Sequence, residues 1–320
     1  MKRAIYFILL TVVLFTLTLA GCGEKTDFEY GEINIIVTKD FGNEILFNKT
    51  VRFEADKSVM DVMEENFEIS TAYGGGFIAS IEGLKSGFLD AKTRRKIDWF
   101  YYVNGALAQV GAKDYYLKPN DVVIWDYYDW SGNYYISNII GAYPYNFVNG
   151  YRGNILETEI RYEREYEEHS KKLFEFLKDK GVKDISLNEL DKGISEREEV
   201  NSIIIGRWEE ISKISLIKDI LKEREKAGVF FNIENDLRVL NHRGEIAREF
   251  EKGAVIASIS KGYDLTAGFL WLITGNDDNC IKKAARLLYE EPYKIIGKFA
   301  AVVTDDELLN LPIGSISAKE

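Results

Sequence analysis

The sequence predicts a protein of the α+β class, with two folded domains behind a leader segment. Three observations support this prediction. The 320 residues are enough for two hydrophobic cores of ordinary size. Residues 31–140 contain short β-branched and aromatic runs separated by turns, with one helical period among them. In residues 156–320, continuous apolar runs alternate with longer helical periods.

The first 22 residues have the order of a secretory signal. Two basic residues, Lys2 and Arg3, precede an apolar run from position 4 to position 19. The run Leu19-Ala20-Gly21-Cys22 then resembles the lipobox of bacterial lipoproteins. This resemblance implies transfer of a diacylglyceryl group to the Cys22 sulfur, cleavage before this cysteine, and acylation of the new amino end by a fatty acid such as palmitate.

The leader therefore predicts where the mature chain is found. We expect residues 1–21 to be a signal peptide and residues 22–30 to be a tether. The mature chain is then lipid-anchored at the extracytoplasmic face of the cell membrane, with the bilayer as a partner through acylated Cys22. Two other interpretations remain open, a transmembrane anchor and a plain secretory signal with a chance cysteine, although the apolar run is short for a membrane span.

Composition and charge exclude several classes of function. The net charge of −11 makes the chain a poor partner for nucleic acid. Cys22 and Cys280 are the two cysteines, and acylation would use the first, so we expect neither a disulfide within the chain nor a thiolate zinc site. His169 and His242 lie in different predicted segments, and we therefore predict no metal site.

Residues 31–140 are predicted to form a small sheet with one helix. The Ser58 hydroxyl can cap a helix whose apolar residues recur at helical spacing as far as Phe67. Asn104-Gly105 is a strong hairpin signal, because both residues tolerate positive φ. The predicted strands cover residues 33–37, 44–53, 77–81, 97–103 and 122–125. The order β-β-α-β-β-β, with one helix across the sheet, is the β-grasp arrangement.

Several motifs in residues 31–130 have the order and spacing of a known family. They are Ser58-Val59-Met60-Asp61-Val62-Met63, Thr71-Ala72-Tyr73-Gly74, Ser80-Ile81-Glu82-Gly83, Trp99-Phe100-Tyr101-Tyr102-Val103-Asn104-Gly105 and Gly111-Ala112-Lys113-Asp114-Tyr115-Tyr116-Leu117-Lys118-Pro119-Asn120-Asp121. This segment resembles the transcobalamin-like C-terminal domain, labelled DUF4430 in bacterial surface proteins. In the cobalamin carriers, the related domain covers one face of the corrin ring. The resemblance implies cobalamin or another corrinoid as a bound ligand, whereas the residues alone indicate no cofactor.

Aromatic residues mark the candidate binding site of this domain. Fifteen of them lie between Trp99 and Phe147, and stacked rings with hydroxyl and indole donors suit flat ligands, sugars or a protein partner. A glycine loop at residues 73–76 would let a ligand approach the backbone closely. The candidate ligand-binding residues are Tyr73, Gly74, Gly75, Trp99, Tyr101, Tyr102, Trp125, Tyr128 and Trp130. The alternative is that these rings fill the core and the junction with the second domain.

The second domain is predicted to be α/β. It follows a linker at residues 141–155, which is rich in Gly, Pro, Tyr and Asn and has no clear period. The predicted helices cover residues 156–180, 211–226 and 277–290, and the predicted strands cover residues 201–206, 229–231, 254–259, 269–273 and 294–303. This alternation predicts a Rossmann-like domain with a covered, largely parallel sheet that is smaller than the first. The segments at residues 203–206, 273–275 and 284–285 weakly resemble α/β modules of S-layer and other surface proteins.

One loop of this domain carries polar residues at a predicted strand-to-helix junction. Thr274-Gly275-Asn276-Asp277-Asp278-Asn279 lies at the carboxyl end of the sheet, where ligands of open α/β folds bind. Asn276 or Asp277 could simply cap the helix, or the loop could hold an anion or a cation. Cys280 is either a reactive thiol or a buried structural one. We recognise no catalytic set of residues.

Three hypotheses of function follow from these patterns. The leading one is a surface lipoprotein that binds a small molecule through its aromatic β-grasp face and hands it to a membrane importer. The second is a non-enzymatic cell-envelope module, in which the same rings contact an envelope protein. The third is an enzyme with an unknown substrate in the α/β half, dependent on the loop from Gly275 to Cys280. We expect the chain not to be an enzyme.

Overall fold

The structure is a computed structural model that describes residues 28–190, 199–261 and 268–314. The predicted signal peptide and the predicted lipidation site Cys22 lie outside these residues. In the ranges that are described, no helix is long and apolar enough to cross a bilayer. The mixture of helices and several sheets confirms the predicted α+β class.

A five-stranded sheet organises the N-terminal part, residues 28–140. The strands of this part are β1 (Tyr30–Lys39), β2 (Glu44–Glu54), β3 (Ile69–Ala72), β4 (Phe77–Ile81), β5 (Leu84–Lys85), β6 (Ile97–Val103), β7 (Ala106–Leu107) and β8 (Val122–Asp129). The sheet order is β2-β1-β8-β6-β7, with the parallel pair β1 and β8 next to the β1–β2 hairpin. This topology agrees with the predicted β-grasp order except at β4. That strand pairs with β3 and β5 in a separate three-stranded sheet.

The helix of this part is α1 (Val59–Asn66), which begins at the predicted cap. The Ser58 hydroxyl accepts a hydrogen bond from the Asp61 N–H, and the Asp61 carboxylate accepts one from the Ser58 N–H. This reciprocal capping box satisfies two backbone donors that the first turn leaves free. The buried side of α1 then packs in one core with residues of the five-stranded sheet.

A seven-stranded sheet organises the C-terminal part, residues 156–314. Its order is β10-β9-β11-β16-β15-β17-β18, and β12, β13 and β14 form a separate sheet. The strands are β9 (Glu157–Tyr162), β10 (Ile185–Glu189), β11 (Val200–Arg207), β12 (Phe231–Ile233), β13 (Leu237–Leu240), β14 (Ile246–Phe250), β15 (Ala254–Ser260), β16 (Phe269–Gly275), β17 (Ala300–Val303) and β18 (Leu308–Leu311). The helices are α2 (Tyr145–Val148), which precedes this part, α3 (Glu167–Asp179), α4 (Trp208–Ile211), α5 (Ser215–Lys222), α6 (Arg224–Ala227) and α7 (Asp278–Glu290).

Three predictions for the C-terminal part need correction. Its sheet is the larger of the two, not the smaller, with seven strands against five among the described residues. Only β10, β9, β11 and β16 pair in parallel, whereas β15, β17 and β18 run antiparallel to their neighbours. The helix predicted over residues 156–180 begins at Glu167, because residues 157–162 form β9 between β10 and β11. Three charged residues in β9 obscure its strand pattern in the sequence.

The two parts of the molecule are joined by a continuous apolar contact. Phe299, from the C-terminal part, packs edge-on against Phe41, Tyr102 and Tyr128. In the segment predicted to be a linker, Phe147 is fully buried and its ring lies 5.3 Å from that of Trp271. The first part of this segment, residues 141–151, is therefore mostly packed against the rest of the molecule, whereas residues 152–155 are exposed. The predicted domain boundaries stay predictions.

Candidate functional site

The loop after β3 exposes one of the predicted ligand-binding side chains. Tyr73, Gly74 and Gly75 have φ values of 51°, 71° and 87°, so three consecutive residues adopt the left-handed conformation. Lys113 Nζ donates a hydrogen bond to the Gly74 carbonyl at 3.2 Å and holds the loop in place. The Tyr73 side chain is 78% exposed and has an edge-to-face contact with Phe77. This conformation is unfavourable for a bulky residue such as tyrosine.

Five of the predicted ligand-binding rings are core residues. Trp99, Tyr101, Tyr102, Trp125 and Tyr128 are all buried. Because side chains alternate along a strand, Trp99, Tyr101 and Trp125 point toward α1. Tyr102 and Tyr128 belong to a separate hydrophobic cluster and point toward the C-terminal part. The prediction that these rings form an exposed ligand face is therefore corrected, because the C-terminal part covers the face that a single helix leaves open.

The hydroxyl groups of Tyr101 and Tyr102 have structural partners. Tyr101 Oη donates to the Val110 carbonyl at 2.5 Å, and its ring stacks on Trp125 with 4.7 Å between the centroids. Tyr102 Oη donates to the Ile136 carbonyl at 3.1 Å. Burial raises the pKa of both hydroxyls well above 10, so these groups are neutral donors at physiological pH. Their role is to hold neighbouring loops against the sheet.

Besides Tyr73, Trp130 is the predicted ligand-binding aromatic residue that reaches the surface. Its ring is half-buried, with Phe88 packed against it at 5.8 Å between the centroids. Lys96 Nζ lies 5.1 Å from the ring centroid, which is within the range of a cation–π contact. The ring is therefore already in contact with two side chains of its own domain, and only part of it is available to a ligand.

One buried carboxylate is absent from the sequence predictions. Asp126 accepts hydrogen bonds from the Phe41 N–H at 2.9 Å and the Gly42 N–H at 2.8 Å, and Thr38 Oγ1 lies 2.5 Å from its Oδ2. Burial, with a smaller contribution from the nearby Asp40 carboxylate, raises the pKa of Asp126 to about 7 despite these bonds. An acidic residue inside the apolar run of β8 is the sequence signal that could have identified this group.

Helix capping explains the polar residues of the loop before α7. Asp277 accepts hydrogen bonds from the N–H groups of Asn279 and Cys280 and so caps the helix. Asn276 binds the Gly253 N–H through its side-chain oxygen. Burial, with a smaller effect of Asp277, raises the pKa of the Cys280 thiol to about 12, so the thiolate is scarce at neutral pH. These contacts favour the structural interpretation of the loop.

No metal site is recognised in the part of the chain that the structure describes. Within residues 28–190, 199–261 and 268–314, no group of three or more His, Cys, Asp or Glu side chains is placed to hold a metal ion. His242 lies 3.6 Å from Asp129, and burial lowers the pKa of its imidazole. His169 Nδ1 lies 2.8 Å from the Tyr289 hydroxyl. Each histidine thus has a local structural partner.

Comparison with known families confirms the predicted resemblance for the N-terminal part. Residues 56–129 match the family described as "Domain of unknown function (DUF4430)". The match runs from the residues before α1 to the end of β8 and includes residues 73–76, the Tyr73 loop. It covers less than a quarter of the chain. No curated protein matches the sequence.

Two solved structures are similar to a part of this chain. The first is haptocorrin in complex with Cbi, with 20% sequence identity and a TM-score of 0.25. The similar region covers 34% of this chain and 28% of the haptocorrin chain, so this chain matches little more than a quarter of that protein. The second is a protein of Ruminococcus gnavus ATCC 29149, described as proposed to bind metal, with 15% identity and a TM-score of 0.24. There the similar region covers 31% of this chain and 97% of the other.

Proposed function

We propose that this chain is a lipid-anchored, extracytoplasmic binding protein that holds a flat small molecule against the Tyr73 loop. The observation that carries the proposal is the exposed Tyr73 ring, at the start of three consecutive left-handed residues. For a residue other than glycine, this conformation costs on the order of 1–3 kcal/mol, and residues strained in this way cluster at functional sites. The ring contributes little to the core, so its value to the molecule lies in contact with something outside it.

The ligand that we propose to test first is cobalamin. The family resemblance of residues 31–130 implies a corrinoid, and the DUF4430 match includes the Tyr73 loop. An aromatic ring offers its face to a flat conjugated ligand, and the two glycines beside it let such a ligand approach the backbone. Haem and glycans are the next classes to test, because both also stack on exposed aromatic rings.

The proposed anchor would keep this site near the membrane. Seven residues, 23–29, lie between the predicted lipidation site Cys22 and Tyr30, where β1 begins. A fully extended tether of this length spans roughly 30 Å. Replacement of Cys22 by serine would remove the lipidated sulfur, and we expect a Cys22→Ser variant to leave the membrane fraction of cells. Retention of this variant in the membrane would contradict lipid anchoring.

A ligand titration tests the binding proposal directly. Full-length chain in detergent is titrated with cobalamin by calorimetry. We expect Tyr73→Ala to weaken binding by roughly two- to tenfold, which corresponds to the loss of one stacked ring. Tyr116→Ala is the matched control, because Tyr116 is also exposed and lies in the same part of the molecule. We expect this control to bind like the unmodified chain.

The outcomes of the titration separate the candidate functions. Equal affinity of Tyr73→Ala and the unmodified chain would place the ligand elsewhere and overturn the role of the loop. If cobalamin, haem and glycans all fail to bind, the small-molecule proposal is wrong. The protein-interaction alternative would then be tested by the recovery of envelope proteins that bind the unmodified chain but not Tyr73→Ala.

A further inference from the structure

The strand β2 forms one edge of the five-stranded sheet, and it is long for an edge strand. It has 11 residues, whereas the edge strands β7, β10 and β18 of the two large sheets have 2, 5 and 4. Within residues 28–190, 199–261 and 268–314, β1 is the one strand that pairs with β2. A long edge of this kind presents a row of backbone N–H and C=O groups to a further strand.

The backbone groups of Thr50, in the middle of β2, point away from the sheet. Thr50 lies opposite Asn34 in the β1–β2 ladder. The Asn34 N–H donates a hydrogen bond at 3.0 Å to the carbonyl of Asp121, the residue before β8, which lies on the other side of β1. In an antiparallel pair, two opposite residues either both turn their N–H and C=O groups toward each other or both turn them away. Because Asn34 turns toward β8, Thr50 turns toward the free edge.

Arg52 and Asn48 turn their backbone groups to the same edge. Arg52 lies opposite Glu32, and the Glu32 carbonyl accepts a hydrogen bond from the Asn120 N–H at 2.7 Å, again on the β8 side of β1. The outward direction recurs at every second residue of a strand, so Asn48 shares it. These two residues and Thr50 each offer one N–H and one C=O group to a strand that approaches the edge.

The two long cationic side chains near this edge are drawn back onto their own chain. Lys49 Nζ donates a hydrogen bond to Asn66 Oδ1 at 3.1 Å, at the end of α1. The Arg52 guanidinium lies over the Tyr30 ring, 4.4 Å from its centroid. Charged side chains and bulges are the usual means of blocking an edge strand. Here the bulge, at Leu46, interrupts the ladder near one end of β2. The rest of the edge therefore stays open to a partner strand.

We propose that β2 pairs antiparallel with β2 of a second copy of this chain, with Thr50 of one copy opposite Thr50 of the other. The two threonines exchange two backbone hydrogen bonds across a two-fold axis. Asn48 of each copy exchanges two more with Arg52 of the other, which gives about six bonds in all. The two five-stranded sheets become one continuous sheet, and each free edge is covered by an identical one.

The side chains of β2 suit this register of two identical strands. Phe47 lies opposite Phe53 and Lys49 lies opposite Val51, so no like charges face each other and an aromatic pair forms on either side of the axis. A centre at Lys49 or at Arg52 would place two cations opposite each other. A centre at Val51 would leave Phe47 beyond the end of the partner strand. This self-complementary pattern is the reason why a second copy, rather than an unrelated strand, is the partner.

Sedimentation equilibrium of the full-length chain, in detergent of matched density, tests the pairing. We expect a mass that rises from one chain toward two as the concentration increases. Thr50→Lys places two ammonium groups opposite each other at the axis, and we expect it to weaken dimerisation by about fivefold or more. Thr50→Val is the matched control, because valine favours a strand as threonine does and should dimerise like the unmodified chain. Thr50 is exposed, so neither change disturbs the core.

Disulfide formation tests the register. Opposite residues in such a hydrogen-bonded pair have Cα atoms about 5.5 Å apart, which is within the range of a disulfide. We expect Thr50→Cys to form an intermolecular disulfide under mild oxidation, with the linked peptides identified by mass spectrometry. Lys49→Cys, whose counterparts lie diagonally across the axis, should cross-link less. Asp219→Cys, at an exposed position on α5, controls for random collision.

Three results would overturn the proposal. These are a one-chain mass at every concentration that stays in solution, equal dimerisation of Thr50→Lys and Thr50→Val, and cross-linking of Lys49→Cys or Asp219→Cys as readily as Thr50→Cys. The pairing does not involve the Tyr73 loop, so Tyr73→Ala should dimerise like the unmodified chain. The proposal therefore stands independently of the proposed function.

Discussion

Asp126 couples the stability of the molecule to pH. Its side chain is fully buried, and burial raises its pKa to about 7, whereas an aspartate in the unfolded chain has a pKa near 3.9. The protonated form is accommodated, because Thr38 can accept the proton of the acid while it donates to the Trp125 carbonyl. Between about pH 4 and pH 7 the folded chain therefore holds a proton that the unfolded chain has lost.

The sign of the resulting pH dependence follows from this difference. The contribution of Asp126 to the free energy of unfolding is greatest below about pH 4 and falls, on the order of a few kcal/mol, as the pH rises to about 7. We expect Asp126→Asn to be less stable than the unmodified chain at pH 4.5, since the amide cannot accept from both Phe41 and Gly42. Its stability should also fall less between pH 4.5 and pH 8.

Urea denaturation at several pH values measures both effects. The control is Asp219→Asn, which changes an exposed side chain and should leave the slope of stability against pH unaltered. A slope in Asp126→Asn equal to that of the unmodified chain would show that another group is responsible. His242 and Asp40 are the neighbours to examine then, because both are buried near the Phe41 turn.

At the scale of single elements, the capping box of α1 has a measurable effect. Ser58→Ala removes the acceptor of the Asp61 N–H and one donor to the Asp61 carboxylate. We expect the free energy of unfolding to fall by about 1 kcal/mol, the usual cost of a lost N-cap. The pKa of Asp61, which the Ser58 hydroxyl and N–H lower, should rise at the same time.

Chemical denaturation and a titration of Asp61 by NMR check this pair of changes. Ser58→Thr is the matched control, because threonine keeps the hydroxyl and should retain most of the stability. If Ser58→Ala loses no stability while the pKa of Asp61 does rise, the cap orders the helix terminus without contributing to the stability of the whole fold.

Elements that depend on local chemistry could be predicted, and those that depend on distant pairing could not. Ser58 marks the start of α1 and Asn104-Gly105 lies between β6 and β7, because caps and tight turns are encoded by adjacent residues. The strand β9 escapes prediction, since its identity depends on β10 and β11 on either side. The separate sheet of β4 is missed for the same reason.

At the scale of the whole molecule, the aromatic residues show why the candidate site was only partly predictable. Alternation along β6 places Tyr101 and Tyr102 on opposite faces of the sheet, because the direction of each side chain is a local property. The face of the sheet that carries Tyr102 is covered by Phe299, which lies nearly two hundred residues further along the chain. No local sequence pattern reveals that contact. Tyr73 remains available because it lies in a loop away from this junction.

Direct backbone contact also joins the two parts of the molecule. A Cβ atom at Gly141 would lie 2.6 Å from the backbone carbon of Gly297, and one at Gly42 would lie 2.0 Å from the Gly297 carbonyl oxygen. Such distances exclude a side chain at either position. Together with the ring contacts of Phe299, they make the interface closely packed, so we expect the two parts to unfold as one cooperative unit.

Phe299→Ala tests this cooperativity. The side chain is 2% exposed, and its loss leaves a cavity between Phe41, Tyr102 and Tyr128, which should lower the free energy of unfolding by about 3–5 kcal/mol. Hydrogen exchange measured separately in β8 and β16 follows the two parts. In the unmodified chain, both strands should exchange with the same free energy of opening, and in Phe299→Ala the two values should separate. Phe88→Ala, which truncates an exposed ring, controls for the loss of an aromatic residue. Different opening free energies already in the unmodified chain would contradict a shared unfolding unit, because an interface that couples the two parts must be lost before either can open alone.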